Sequence, residues 1–334
     1  MSRKRHSTTS FGVFIATGVF VFLLGILGID VPTDDTAKHD TEKVNTQSEV
    51  KPPTTESEII EFETTESEII ESETITSDSM KVHFLDVDQG LAILVQLGDE
   101  VLIYDGGERD TSSFVVAYLK NQGVEDIDYL ISSHYDADHV SGLIGCLNAF
   151  DVEMVIGSDY VHDSKIYTSF MNAVEAEGLK MQYPAVGTQY PMGDAVITIL
   201  SPKEISSDSN SNSVVIKLSY GESDFIFTGD ADYKNEREMI AMFGMELDCE
   251  VLSVGHHGSA SATSEKFLSV TTPEYAVISC GEGNAYGHPH KETLQYLNDF
   301  EVEILRNDEL GTIVVETDGD KMEWFTNRND EGSQ

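Results

Sequence analysis

The sequence predicts an α/β layered domain set behind an N-terminal membrane span and an acidic stalk. Three observations carry that reading. Short apolar runs of strand length alternate with segments of helical periodicity from about residue 80 to residue 316. Phe11 to Ile29 holds no charged residue. Between the two lies a stretch rich in Thr, Ser, Glu and Asp, with few large apolar side chains.

At about 1.5 Å per residue, the apolar run is just long enough to cross a bilayer. Arg3, Lys4 and Arg5 precede it, which favours a cytoplasmic N-terminus with the remainder outside. No small-x-small cleavage pattern follows Gly28 and no lipobox cysteine is present, so residues 1–30 read as a signal anchor in preference to a cleaved signal peptide. The expected location is the cell membrane, single-pass; secretion after cleavage is the alternative. Residues 31–79 contain a ten-residue duplication, Thr54–Glu63 followed by Thr64–Glu73. Burial of so few apolar groups cannot offset the chain entropy, which predicts a disordered acidic linker.

Residues 80–334 read as the folded domain. Val82–Asp86, Ala92–Gln96 and Val101–Tyr104 are apolar runs separated by Asp- and Gly-containing turns, hence three strands. Ser112–Asn121 places Phe114, Val115, Tyr118 and Leu119 on one side of a helix. Ile127–Ile131 is a strand, and a helix begins near Val140. The pattern then predicts strands at Met154–Ile156, Val196–Leu200, Ser213–Leu218, Phe225–Phe227, Val251–Val254, Tyr275–Ser279, Glu303–Leu305 and Gly311–Glu316. Helices are predicted at Tyr167–Glu177, Asn235–Phe243 and Lys291–Asn298.

The net charge is -40, from 60 acidic and 20 basic residues. Nucleic-acid binding normally needs Lys and Arg against the phosphates. The balance therefore counts against a polyanionic substrate unless metals and a local basic patch offset it, and it reads chiefly as solubility or adaptation to salt. Cys146, Cys249 and Cys280 match no metal-binding spacing and read as small core residues.

The turn between the fourth strand and the next helix carries the chemistry. His134, Asp136, Asp138 and His139 place four candidate ligands within six positions, which points to metal-dependent hydrolysis. Further polar groups recur at predicted strand ends: Asp105, Asp230, His256, His257, His288, and the segment Asn210–Ser213. His162 is a loop residue able to touch substrate, whereas His39, His83 and His290 read as ordinary solvated or hydrogen-bonded side chains.

With these residues in view, the chain resembles the metallo-β-lactamase fold superfamily, and within it the extracellular domain of the ComEC competence-protein family. The resemblance rests on Phe84–Gly90, Asp105–Gly107, His134–His139, Asn210–Ser213, Thr228–Asp230, His256–Ser259 and Gly287–Pro289, in the family's order. It implies an αββα sandwich with a site for one or two divalent metals, zinc or manganese, at one edge. His134 and Asp136 would hold one metal, Asp138 and His139 the other; Asp230 would bridge and His288 would complete the second site. His256 and His257 would line the site as ligand or substrate-polarising group, and Asp105 would buttress the ligand loop. Asn210, Asn212 and Ser213 would donate hydrogen bonds to a phosphate oxygen.

The sequence departs from the family pattern in three places. Asp136 stands at the second His of the ligand motif, and its oxygen favours harder metals such as manganese. No His stands near Asn210–Ser213. Asp88 replaces a Gly and Leu91 replaces an Asp. The implied activity is an extracellular phosphodiesterase or nuclease, acting on a phosphodiester such as DNA. A second reading is hydrolysis of another ester, such as a phosphocholine or lactone; a third is a surface binding module without activity. Only one apolar span is present, so a role in DNA uptake would need a separate membrane channel partner.

Overall fold

A computed structural model describes residues 79–328. The apolar span at 11–29 and the acidic duplication lie outside the described residues. Among the described residues, no helix is long and apolar enough to cross a membrane.

The first half of the domain runs β1 (Met80–Phe84), β2 (Ile93–Leu97), β3 (Glu100–Tyr104), α1 (Ser112–Asn121), β4 (Asp126–Ile131), α2 (Ala137–Leu147), β5 (Asp151–Ile156), α3 (Lys165–Ala176) and β6 (Met181–Gln182). The second runs β7 (Gln189–Met192), β8 (Ala195–Ser201), β9 (Val215–Tyr220), β10 (Ser223–Phe227), α4 (Tyr233–Phe243), β11 (Val251–Ser253), α5 (Glu265–Thr271), β12 (Tyr275–Ile278), α6 (Lys291–Asp299), β13 (Glu303–Arg306), β14 (Ile313–Thr317) and β15 (Met322–Thr326). One sheet has the order β15-β14-β1-β2-β3-β4-β5-β6, the other β13-β12-β11-β10-β9-β8-β7.

Strand alternation explains the layers. On β1, Met80, Val82 and Phe84 enter the core between the sheets; on β3, Leu102 and Tyr104 do so while Val101 and Ile103 face α1 and α2. On β10, Phe225 and Phe227 meet that same central core, and Ile226 turns to the layer under α4 to α6. Two sheets face to face with helices outside give the expected αββα order.

The expected strands and helices are present, with shifted ends. α2 begins at Ala137, three residues before the predicted start, so Asp138 and His139 lie in its first turn. The polar triplet Asn210–Asn212 forms a 3-10 turn, and β9 starts only at Val215. Helix α5 and strands β6, β7 and β15 are not among the predicted elements. β6 has two residues, β7 carries Pro191 and β15 is partly exposed, so each lacks the clean alternation that marks a half-buried strand.

β3, β4 and β5 run parallel, as do β10, β11, β12 and β13. Their carboxyl ends emerge at one edge, where open α/β sheets collect ligands. Phe227 is fully buried there and packs edge-on against Phe84 of β1 and at a tilt against Tyr104 of β3, in the facing sheet. Phe227→Ala is expected to destabilise the domain by about 3–5 kcal/mol, read from urea unfolding.

Candidate metal centre

The ligand-bearing segments meet at this edge. Asp105 closes β3, Ser132–His134 follows β4, Asp136 caps α2, Asp230 follows β10, and Gly255–Gly258 follows β11. Gly106 rests on Gly142 of α2, where a Cβ on either residue would run into the other's backbone. That contact seats the Asp105 loop against the ligand helix; Gly106 N–H donates to the His139 carbonyl at 2.7 Å.

Asp105 is wholly buried and serves as the buttress that the sequence suggested. Its Oδ1 accepts from Ser133 N–H at 2.7 Å, and its Oδ2 accepts from Ser133 Oγ at 2.6 Å and from His139 Nδ1 at 2.8 Å. Ser133 Oγ in turn accepts from His134 Nδ1 at 3.0 Å. His257 Nδ1 donates to the Ser279 carbonyl at 2.9 Å. All three imidazoles thus carry their proton on Nδ1, leaving the Nε2 lone pair turned inward.

Those inward atoms have no partner. Nε2 of His134, His139 and His257, and Oδ1 of Asp230, are buried without a hydrogen bond. With the rings neutral, each is an acceptor facing other acceptors, an arrangement that costs free energy unless a proton or a cation lies between them. The spacing suits one. Ligand atoms of His134, His139 and Asp230 lie within 4.8 Å of one another, as do those of Asp138, His139 and His257. Ligands about 2.1 Å from a tetrahedral metal stand roughly 3.4 Å apart; His139 Nε2 is 3.3 Å from Asp230 Oδ1, and His257 Nε2 is 3.5 Å from the same oxygen.

Asp230 divides the site. Its Oδ1 faces His139 and His257, while its Oδ2 faces His256 Nε2 at 3.6 Å and His134 Nε2 at 3.9 Å. Asp136 Oδ2 lies 3.6 Å from His134 Nε2, and Asp138 Oδ2 lies 3.6 Å from His257 Nε2 and 3.9 Å from His139 Nε2. The four-ligand turn therefore serves both halves, with the Asp230 carboxylate between them. Mixed imidazole and carboxylate donors fit zinc and harder divalent ions alike.

The resemblance gave the second half of the site to His288, whereas His257 is the histidine that stands beside Asp138 and His139. His288 stacks on the outer side of His257 with ring centroids 6.2 Å apart and stays outside both ligand groups. Two residues of one turn supply an imidazole to each half because His256 and His257 adopt left-handed backbone, with φ of 51° and 55°. Such conformations cost on the order of 1–3 kcal/mol each and persist where the surroundings enforce them. His256 N–H is held by the Gly229 carbonyl at 3.0 Å, which ties this turn to the Asp230 loop.

Electrostatics follow the geometry. Burial disfavours charge on His139, but the Asp230 and Asp105 carboxylates outweigh it and hold the imidazole well above its ordinary range. Burial likewise opposes ionisation of Asp230, but His139 and His257 drive its carboxyl well below the usual carboxylate range. Asp138 is lowered in the same way, against its burial, by His139 and His257. His288 is pushed down to about 4, first by burial and then by His257 and His256. The inner carboxylates thus stay ionised and stabilise positive charge at this spot.

The remaining predicted residues fall in different roles. Asn210 Nδ2 lies 3.3 Å from His256 Nε2, at the site. Asn212 and Ser213, expected as phosphate donors, are buried instead. Asn212 exchanges two hydrogen bonds with the Ser206 backbone, and Ser213 Oγ accepts from Asp230 N–H at 3.2 Å. His162 Nε2 lies 3.3 Å from Asp136 Oδ1 and lines the rim. Asp88 has φ of 56°, so the position calls for the left-handed backbone that Gly supplies and Asp tolerates. Leu91 is buried in the core between the sheets, and Gln89 reaches toward His288 Nδ1 at 3.5 Å. Ser209 went unread: its hydroxyl donates to Asp136 Oδ1 at 2.8 Å and pairs with Tyr160 OH at 2.8 Å. A serine in a serine-rich loop carries no sequence signal that would single it out.

Residues 85–282 match the family model of the metallo-beta-lactamase superfamily. The chain belongs to this superfamily. Its members are generally metal-dependent hydrolases, which agrees with the buried ligand cluster. The chain is 30% identical over 253 residues to ComE operon protein 3 of Bacillus subtilis, covering 70% of this chain and 32% of that protein. It is 31% identical over 254 residues to Recombination protein 2 of Haemophilus influenzae, covering 73% of this chain and 30% of that one. Competence protein ComA of Neisseria gonorrhoeae is 30% identical over 232 residues, with 68% and 31% covered. The chain thus spans about a third of the length of these relatives, and the resemblance to the ComEC competence-protein family holds. The metallo-beta-lactamase fold protein YhfI from Bacillus subtilis shares the fold at a TM-score of 0.51 and 17% identity, covering 72% of this chain and all of that one.

Removing Asp105 strips the proton acceptor from His139 and the anchor from Ser133. Asp105→Ala is expected to weaken metal binding about 10–100-fold, measured by competition against a chromophoric chelator. Stripping metal with a chelator should lower the melting temperature of the wild type. Metal held at a hundred times its Kd contributes about 2.7 kcal/mol, and calorimetry with and without added zinc or manganese reads the difference.

Proposed function

We propose that this protein is a metal-dependent phosphodiesterase acting on nucleic acid, with its hydrolase domain outside the cell. The observation that carries this reading is the division of Asp230, one oxygen toward His134 and His256 and the other toward His139 and His257. Two adjacent cation positions suit an in-line displacement at phosphorus, in which attacking and leaving oxygens both need charge stabilisation. The relatives support the substrate class, since one is named for competence and another for recombination. The apolar run at 11–29 supports a membrane anchor, and a separate channel partner would carry the strand inward.

Bound divalent metal supplies Lewis acidity and an activated water at neutral pH. The chain's own residues do the rest. Asp105 and Ser133 fix the ring orientations of His139 and His134, so the lone pairs are preorganised before any ion arrives. Asn210 Nδ2 and the partly exposed His256 ring stand on the open side, where a phosphoryl oxygen can accept a hydrogen bond. Ser209 and Tyr160 hold Asp136, which keeps its carboxylate turned to His134.

The full-length chain supplied with manganese or zinc is expected to cleave single-stranded DNA and a chromogenic phosphodiester. Asp138→Ala should abolish turnover, because it takes a carboxylate from beside both His139 and His257. His256→Ala should lower kcat by about two orders of magnitude, the scale of losing one charge-stabilising group. Metal-loaded protein that turns over no phosphodiester overturns the reading; hydrolysis of a phosphocholine ester or a lactone instead would move it to another ester.

A further inference from the structure

Where β5, β6 and β8 end lies a cavity of about 230 Å³. It is lined by Ser158, Asp159, Tyr183, Pro184, Pro202 and Lys203, with Ile205 and Val214 among its other walls. Resting on the phosphodiesterase reading, we infer that this cavity is a nucleobase subsite that seats one base of a single strand next to the scissile phosphate.

Position comes first. Val214 follows Ser213, whose hydroxyl holds the Asp230 backbone, and Val214 N–H donates to the Ser133 carbonyl at 2.8 Å. The Ser158 carbonyl accepts from Tyr135 OH at 2.7 Å, and Tyr135 directly follows His134. The cavity wall and the ligand loop are therefore tied together by direct hydrogen bonds.

Size and chemistry then choose the occupant. Pockets for drug-sized ligands run about 300–1,000 Å³. A cavity of 230 Å³ holds one flat ring rather than a whole nucleotide, leaving sugar and phosphate outside toward the metals. The walls offer flat and apolar surface: Tyr183 is 44% exposed and Ile205 48% exposed, both large apolar groups left in water beside two prolines. Aromatic platforms of this kind stack bases with little regard to sequence. Ser158, a residue of the cavity wall, is 2% exposed, and its buried hydroxyl has no hydrogen-bond partner. The Asp159 carboxylate accepts from an exocyclic amine, as on cytosine. Lys203 forms no ion pair among the described residues, which leaves its ammonium for a backbone phosphate. In a chain of net charge -40, such an uncommitted cation beside the site counters part of the repulsion a polyanion meets.

The test compares substrates that differ only in the base. Metal-loaded full-length protein is expected to cleave a single-stranded cytidine oligonucleotide with a KM roughly tenfold below that for an abasic strand of the same length. Tyr183→Ala should bring the two KM values together, and Tyr183→Phe should restore the difference by keeping the ring. Cytidine monophosphate binding to chelator-treated protein, followed by saturation-transfer NMR, reads the subsite without turnover and should be lost in Tyr183→Ala. Cleavage of both strands with equal KM overturns the subsite and leaves the phosphodiesterase reading standing. Cleavage of neither, with cytidine monophosphate still bound through Tyr183, overturns that reading and keeps the subsite. Nucleotide binding that is absent, or indifferent to Tyr183, overturns the subsite whatever the enzyme cleaves.

Discussion

Four buried acceptor atoms face one another at the sheet edge: Nε2 of His134, His139 and His257, and Oδ1 of Asp230. In the neutral rings none has a proton to offer the others, because each imidazole spends its Nδ1–H on the surrounding shell. In a dry interior such an arrangement is repulsive, and positive charge between the atoms resolves it. Much of the local structure exists to enforce this arrangement. Asp105 is buried to hold two imidazoles, Gly106 and Gly142 let its loop touch the ligand helix, and two successive histidines accept left-handed backbone to enter the site together.

The two sheets meet here for a reason that lies in their connections. Parallel neighbours β3 and β4 in one sheet, and β10 to β12 in the other, release their loops at the same edge. Loops on a rigid scaffold can carry strained backbone and unpaired polar atoms that the strands themselves cannot. Phe84, Tyr104 and Phe227 close the core directly beneath, so ligand geometry is set by close packing. Tyr104 OH donates to the Val214 carbonyl at 2.8 Å, tying the first sheet to the loop that leads into β9.

Acidity takes on a narrower meaning in this light. A chain of net charge -40 is a poor general binder of polyanions. The inner carboxylates Asp138 and Asp230 are nonetheless held ionised by neighbouring imidazoles, so part of the negative charge is turned into the site rather than to the surface field. The departures from the family pattern soften too. Leu91 fills core beneath the site, and Asp88 meets a left-handed turn that it tolerates, so neither position argues by itself for a lost activity.

The sequence by itself determined the fold class, the family and most of the residues that gather at the candidate site. Those depend on local patterns: strand alternation in Val101–Tyr104, four ligands on one turn at His134–His139, and polar groups at strand ends such as Asp230. Only the tertiary structure decided which histidine closes the second half of the site. His257 and His288 are both imidazoles beside glycines in sequence, and what separates them is a left-handed turn and an inward-facing lone pair. The same holds for Asn212, Ser213 and Ser209, polar residues of one loop. One supports its own loop, one holds the Asp230 backbone, and one holds the Asp136 carboxylate. The last two roles arise from contacts between segments distant in the chain, and residue type and spacing carry no record of which side chain will face which.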